Sequence, residues 1–298
     1  MILIAGGTGR LGREVVTRLT ASGRDVRVLT RHAVHAEGLD VEVSIGDVRD
    51  PSTLAAATRG SSVVISAVHG FMGGRGAGPE EVDLRGNYNL LRAARDAGVE
   101  HFILLSVLDA RREHPMALHR AKYAAEQQLE SSELSWTVLR PSSYVETWID
   151  IVGSKLASGG PALVFGRADN PINFVSVQDV ATLTERAITD PALRGQAIDV
   201  PGLDNLTMEQ LAQRLGAKKV RRIPRGALRS FSTVLTPVAP ALARQMRAAL
   251  VMDTTDMTAN ATALCARFPD LTWHAATDIA DQFHAQPQRR TQKGTNTK

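Results

Sequence analysis

Apolar runs and segments with helical spacing alternate along the first half of the chain. The predicted strands are residues 2–4, 26–29, 41–45, 62–68, 101–107 and 136–140. Helical patterns at 13–22, 80–97 and 115–131 lie between them, and the last places Leu118, Ala121, Ala125 and Leu129 on one face. This alternation predicts an α/β fold, a Rossmann-type doubly wound parallel sheet with helices on both faces.

The pattern changes after residue 141. A helix at 143–157, short strands at 162–165 and 172–177, a helix at 178–189 and a returning strand at 196–200 are predicted. A capping-box pattern at 207–210 opens a short helix, residues 219–223 form an edge strand, and an amphipathic stretch follows at 226–252. We therefore predict a dinucleotide-binding core at 1–141, to which 172–200 returns. A smaller carboxyl-terminal substrate part follows at 142–285, and then a disordered basic tail at 286–298.

The composition of the chain argues against several classes of protein function. The chain has 298 residues, is 43% hydrophobic and can bury a large core. Its net charge of +4 is concentrated near residues 218–229 and 289–298, so charge alone does not indicate nucleic-acid binding. The single cysteine, Cys265, excludes an internal disulfide and a four-thiolate zinc site. We expect a cytoplasmic monomer or homodimer without a metal site or an integral membrane segment.

A glycine-rich turn directly follows the first predicted strand. Its spacing is Gly6-x-x-Gly9-x-x-Gly12, and a helical segment begins immediately after it. Free backbone N–H groups and the helix dipole favour an anion there, and glycines allow close approach of a pyrophosphate. We predict a dinucleotide site at this turn and at the carboxyl ends of the following strands. Its residues are Gly6, Thr8, Gly9, Arg10, Leu11, Gly12, Arg31, Asp47, Val48, Ala67 and Val68.

The end of the second strand distinguishes NADP from NAD. NAD-preferring sites usually end this strand with a carboxylate for the ribose hydroxyls, whereas here Arg31 and His32 follow Thr30. Arg31, together with Arg10 in the turn, suits a 2′-phosphate, which arginine binds in a bidentate way. Asp47 is placed to accept a hydrogen bond from the adenine amino group. The sequence therefore predicts NADP(H) as the cofactor.

Several further segments resemble those of a known family. They are Ile4–Gly12, Gly46-Asp47, Val82–Ala94, Gly98–Ser106, Arg140-Pro141 and Asn173–Ala181. Together they resemble the atypical short-chain dehydrogenases/reductases of the NmrA-like, or NAD(P)H-binding, branch. The similarity spans most of residues 1–215. It implies a Rossmann-type sheet and a smaller carboxyl-terminal part that closes over the nicotinamide.

The resemblance also implies catalytic roles, with one departure. Ser106 matches the family serine, and Lys122 matches the lysine that binds the nicotinamide ribose. The proton-donating tyrosine, four residues before the lysine, is Leu118 in this chain. His119, Tyr123 or Lys122 itself could replace it, while a surface or packing role is the alternative for each. Lys122, Ser106 and His119 are our catalytic candidates, and Lys122 also joins the predicted cofactor-binding residues.

Two classes of function follow. The first is an NADP(H)-dependent oxidoreductase acting on a small apolar carbonyl, enone or quinone, with His69 also near the nicotinamide. Quinones need little acid catalysis from the protein. The alternative is an NADP(H)-sensing regulator or assembly factor without catalysis, because Leu118 cannot move a proton. A nucleotide-sugar epimerase or dehydratase is a third, weaker option.

The basic stretch Lys218–Arg229 leads into the amphipathic segment and has two interpretations. It is a membrane-surface or partner-binding element, or a helix that packs on the substrate pocket with a solvated basic face.

Overall fold

The computed structural model describes residues 1–285, so the predicted basic tail at 286–298 lies outside the described residues. Seven parallel strands form the central sheet in the order β10-β6-β5-β4-β1-β2-β3. They are β1 (Ile2–Ala5), β2 (Val26–Thr30), β3 (Glu42–Ile45), β4 (Val63–Ser66), β5 (His101–Leu105), β6 (Ser135–Pro141) and β10 (Gln196–Val200). The order reverses between β1 and β4, and a crevice for a ligand forms at such a switch point.

Helices cover both faces of this sheet. They are α1 (Arg10–Ala21), α2 (Leu54–Thr58), α3 (Asn87–Asp96), α4 (Ala117–Glu130) and α6 (Val177–Thr189). Apolar residues of α1 and α6 pack on one face, and those of α2, α3 and α4 pack on the other. The predicted doubly wound Rossmann-type fold is therefore confirmed.

The carboxyl-terminal residues build a smaller part with its own core. Its strands are β7 (Ser143–Tyr144), β8 (Ala162–Phe165), β9 (Ile172–Val175), β11 (Asp204–Leu206) and β12 (Val220–Ile223). Its helices are α5 (Val145–Gly153), α7 (Met208–Arg214), α8 (Arg225–Val234), α9 (Pro240–Met252) and α11 (Ala276–Ala285), whereas Leu264 of α10 (Thr262–Arg267) packs in the core of the central sheet. Strands β11, β9 and β7 form one small sheet, and β12 and β8 form another.

Two predicted helices begin differently in the structure. The helix predicted at 80–97 opens with a π-helical turn, Glu80–Gly86, before α3. The helix predicted at 143–157 starts as β7, because Ser143 pairs with Phe174 of β9, and its α-helical part ends at Gly153. No helix in the described part of the chain is long and apolar enough to cross a membrane.

Candidate functional site

The glycine turn between β1 and α1 is built from close backbone contacts. Gly6 has a φ of +85°, and a Cβ there would lie 2.6 Å from the carbonyl oxygen of Ala67, which follows β4. A Cβ on Gly12 would overlap the carbonyl oxygen of Gly6. Gly9 caps α1 without a side-chain hydrogen bond, and the first turn of α1 carries no acidic residue. The first N–H groups of a helix lack intrahelical acceptors, so this cradle fits a pyrophosphate.

Two arginines near the turn point in different directions. Arg10 forms an ion pair with Asp150 of α5, which connects the turn to the smaller part. Arg13, which the sequence analysis did not single out, donates from Nε to the carbonyl oxygen of Thr8 at 3.2 Å. Its guanidinium also bonds the carbonyl oxygen of His35, in the segment after β2. Arg13 therefore places a positive charge near the predicted 2′-phosphate position.

The strand ends on the adenosine side carry a second charged pair. Both carboxylate oxygens of Asp47 accept hydrogen bonds from the side chain of Arg49, and these bonds lower the pKa of Asp47. Arg31 directly follows Thr30, which pairs with Ile45 just before Asp47, and its positive charge lowers the pKa of Asp47 further. Val48 is buried and contacts Gly86. The adenine-binding role of Asp47 remains a prediction, since a carboxylate keeps further lone pairs when bound to arginine.

Lys122 lies at the other end of the crevice, in a buried ion pair. Its Nζ is 3.1 Å from Oδ1 of Asp83 and donates to the carbonyl oxygen of Val68 at 2.8 Å. The side chains of Lys122 and Asp83 are 2% and 0% exposed. An ammonium group has three N–H donors and only the one to Val68 is a hydrogen bond here, so at least one remains for a ligand such as a ribose hydroxyl.

The π-helical turn holds Asp83 in place. Oδ2 of Asp83 accepts from the backbone N–H of Gly70 at 2.7 Å, and Asn87 donates to the carbonyl oxygen of Asp83 at 2.6 Å. Ser66, at the end of β4, donates to Oδ1 of Asn87 at 2.5 Å. π-Helical turns often occur at functional sites. Asp83 lies within the family-like segment Val82–Ala94, which was the only sequence signal for it.

Ser106 belongs to a second buried cluster. Its hydroxyl donates to Oε1 of Glu126, whose carboxylate also binds Arg140 through Nη2 at 2.6 Å and Nε at 3.1 Å. Glu126 is fully buried, and its hydrogen bonds raise the pKa of Arg140. Because the hydroxyl proton of Ser106 is committed to Glu126, the serine oxygen can accept but not donate a further bond. The predicted catalytic role of Ser106 remains a prediction.

His119 is packed away from water. Its ring stacks on His114 at a centroid distance of 3.9 Å, and burial lowers the pKa of His119 to about 3. The imidazole is therefore neutral at physiological pH and is a weak proton donor. Leu118, in the family tyrosine position, is half-buried. These surroundings favour a packing role for His119, whose catalytic role stays an untested prediction.

His69 follows Val68 and interacts with both charges of the Lys122 pair. The residue is exposed, yet enough protein surrounds it to lower the pKa of its imidazole by desolvation. The charge of Asp83 opposes this shift and that of Lys122 adds to it. Of the described candidate donors, His119 is neutral, Ser106 is already hydrogen-bonded and Lys122 is paired, while Tyr123 is half-buried. The arrangement can orient a dinucleotide but offers little acid catalysis.

Comparisons with known proteins agree with this geometry. The profile of a family described as NAD(P)H-binding matches residues 6–191. An NAD(P)H azoreductase of Xenophilus azovorans is 28% identical over 226 residues, which span 75% of each chain. The photosystem II assembly factor Ycf39 of Guillardia theta is 28% identical over 234 residues, 75% of this chain and 73% of that protein.

A solved structure shows the same fold. It is an NADPH-dependent quinone oxidoreductase from Escherichia coli complexed with NADPH, with a TM-score of 0.74 and 20% identity. The match covers 95% of this chain and 99% of that chain. Together with the family profile, it confirms the predicted Rossmann-type architecture. The profile itself confirms the predicted family and a nicotinamide dinucleotide as cofactor.

Proposed function

The chain belongs to the NAD(P)H-binding family, and on that premise we propose that it is an NADPH-dependent reductase of small apolar acceptors. Quinones and enones are the preferred class, ahead of simple aldehydes and ketones. The main observation behind this proposal is that few side chains around Lys122 can donate a proton to a substrate. Leu118 replaces the tyrosine, Ser106 donates to Glu126, and His119 is buried and neutral.

The chemistry of the acceptor explains the preference. Bound NADPH supplies a hydride, and a simple carbonyl that receives it becomes a strongly basic alkoxide unless an acid donates a proton. General acid catalysis of this kind contributes roughly 10²–10⁴-fold. A reduced quinone spreads the charge over its ring and takes protons from water. A site without a free acid therefore penalises aldehydes and ketones much more than quinones.

The chain's own residues have distinct tasks in this proposal. The free N–H of Lys122 binds the nicotinamide ribose, and Asp83 holds the lysine in place. Arg31 and Arg13 contribute the positive charge that selects the 2′-phosphate of NADPH, because arginine matches phosphate geometry. Arg10, paired with Asp150, lies between the turn and the smaller part.

The test is NADPH oxidation by the purified chain with matched quinones, enones and aldehydes. We expect turnover with quinones and enones and little or none with aldehydes. Dissociation constants of NADPH and NADH are measured on the same protein, and NADPH should bind more tightly. Faster turnover of aldehydes than of quinones would overturn the substrate class. Tighter binding of NADH would overturn the choice of cofactor.

A second candidate function rests on the same scarcity of acids. The chain would then bind NADP(H) as a sensing regulator or assembly factor, and the likeness to Ycf39, named as an assembly factor, supports it. In that case NADPH binds tightly and no acceptor is reduced. Substituting Gly9 would abolish function, while a Lys122 variant would retain it.

A further inference from the structure

The segment from residue 211 to residue 252 differs from the rest of the chain in charge. The whole chain has 35 Lys and Arg against 31 Asp and Glu, yet this segment contains no carboxylate side chain. Its basic residues are Arg214, Lys218, Lys219, Arg221, Arg222, Arg225, Arg229, Arg244 and Arg247. The segment includes β12 and the α8–α9 hairpin, so positive potential accumulates on this side of the molecule.

Part of this charge is free to meet a partner. Arg214 pairs with Asp281, Arg222 with Glu209 and Arg225 with Asp253, so these three are neutralised within the chain. Four other side chains are exposed and form neither an ion pair nor a hydrogen bond with any described residue. They are Lys218, Lys219, Arg221 and Arg229.

The hairpin also exposes a row of apolar side chains, here called the apolar ridge: Phe231, Val234, Val238 and Leu242. Their exposed fractions are 52%, 68%, 75% and 42%. Phe231 and Val234 lie three residues apart on α8 and share one side of that helix, Val238 lies in the turn before α9, and Leu242 lies in the first turn of α9. Leu228 and Ser232 of the same helix are buried, so α8 has apolar residues on its outer face as well. Clustered exposed apolar side chains mark an interaction surface.

We propose that the α8–α9 hairpin binds the surface of an anionic lipid bilayer. The apolar ridge enters the boundary between headgroups and acyl chains, and the free basic residues contact lipid phosphates. Basic clusters next to an amphipathic helix are typical of such binding. A second copy of the chain fits less well, because a symmetric contact would bring these cations against one another. An acidic protein surface would match the charges, but it would leave the apolar ridge without an apolar partner.

The hairpin is connected to the site around Lys122. Nε of Arg244 donates to the carbonyl oxygen of Phe71 at 2.8 Å, and Arg75 donates to that of Pro237 at 2.8 Å. The N–H of Gly70, in the same loop, binds Asp83. A bilayer contact would therefore lie beside the loop that borders the nicotinamide end. If the proposed reductase function holds, apolar acceptors reach the site from the membrane, while the bilayer binding itself does not depend on that function.

Vesicle co-sedimentation of the full chain tests the proposal. Vesicles of phosphatidylcholine alone are compared with vesicles of equal parts phosphatidylcholine and phosphatidylglycerol, at low and at high NaCl. We expect binding to the anionic vesicles only, with loss of binding at high salt because charged contacts are screened. Absence of binding to the anionic vesicles would overturn the proposal, whatever the enzyme assays show.

Substitution of the apolar ridge distinguishes binding through this surface from nonspecific binding through any exposed apolar side chain. The triple variant Phe231→Ser, Val234→Ser and Val238→Ser should lose at least tenfold in vesicle binding. The control variant Val34→Ser with Ile45→Ser removes two exposed apolar side chains elsewhere, 59% and 56% exposed, and should bind like the parent. Equal losses in both variants would overturn the assignment of the surface.

Substitution of the free basic residues is the second test in the vesicle assay. Lys218→Gln, Lys219→Gln and Arg221→Gln together should lower binding at least tenfold, whereas Arg24→Gln with Arg59→Gln, both exposed, should not. Light scattering gives the mass of the parent and of the ridge variant. A dimer that the ridge variant converts to a monomer would assign the ridge to a second copy and overturn the proposal.

Discussion

The two ends of the crevice are built by different means. The glycine turn consists of backbone in close contact, and Gly6 and Gly12 leave no room for side chains. The end around Lys122 consists of charged side chains that are buried and already paired with Asp83, Glu126 or Arg140. Dinucleotide binding at the glycine turn requires that Gly6 and Gly12 carry no Cβ atom, because a Cβ there would collide with the backbone. Proton transfer at the Lys122 end requires an N–H or O–H group that is not already hydrogen-bonded. A change at one end can therefore leave the other end unaffected.

Adding a side chain to the glycine turn should have the largest effect, a loss of NADPH affinity. Gly12→Ala places a Cβ against the carbonyl oxygen of Gly6, so the turn must move and the cradle is lost. We expect NADPH affinity to fall more than 100-fold in a fluorescence titration, an estimate for a blocked site of this kind. Gly226→Ala is the control, because a Cβ there meets nothing within 4 Å. Unchanged affinity in Gly12→Ala would contradict the backbone origin of binding.

Breaking the buried ion pair should be the next largest effect. Asp83→Leu leaves the ammonium of Lys122 buried without its carboxylate, which costs about 3–5 kcal/mol of unfolding free energy. The double variant Asp83→Leu with Lys122→Met should recover most of that stability in urea unfolding but should not recover turnover. Asp96→Ala removes an exposed pair with Arg95 and should change stability little. Recovery of turnover in the double variant would show that the pair is only structural.

The buried histidine predicts a pH dependence of stability. In the folded chain the pKa of His119 is lowered to about 3 from 6.5, so only the unfolded chain takes up this proton between those values. Stability from the neutral ring is full above about pH 6.5 and is lost as the pH falls, by about 2 kcal/mol at pH 5. His119→Phe should remove that share of the loss in urea unfolding, and His35→Phe, on the surface, should not. A pH-independent wild type would exclude the burial of this ring.

Adding the missing acid should give the smallest effect and the sharpest comparison. Leu118→Tyr restores the Tyr-x-x-x-Lys spacing at a half-buried position, with Lys122 unchanged. We expect aldehyde turnover to rise about tenfold, less than the roughly 10²–10⁴-fold of an optimally placed general acid, while quinone turnover stays the same. Leu118→Phe has the ring without the hydroxyl and serves as control. Equal gains for both acceptors would show that proton supply does not limit the reaction.

Local patterns in the sequence were sufficient for the sheet and the glycine turn. Apolar runs predicted the seven strands of the central sheet, and Gly6, Gly9 and Gly12 predicted the turn. The partners of Ser106 and Lys122 were not predictable in this way. Glu126 and Asp83 lie 20 and 39 residues from them along the chain, and only the packing of α4 on the sheet and the π-helical turn brings each pair together. Arg13 was missed because it lies on α1 while its partner His35 lies after β2, and no local pattern in the sequence joins these two elements.

The loop at 70–78 is fastened from three separate regions. Arg49 donates to the carbonyl oxygen of Gly76 at 2.7 Å, Asp83 accepts from Gly70, and Arg244 binds the carbonyl oxygens of Phe71 and Gly73. If each attachment contributes about 1 kcal/mol net, releasing all three costs roughly 3 kcal/mol. The released form then makes up less than about one molecule in a hundred. A ligand whose passage requires this loop to open would therefore find it open only in that small fraction of molecules.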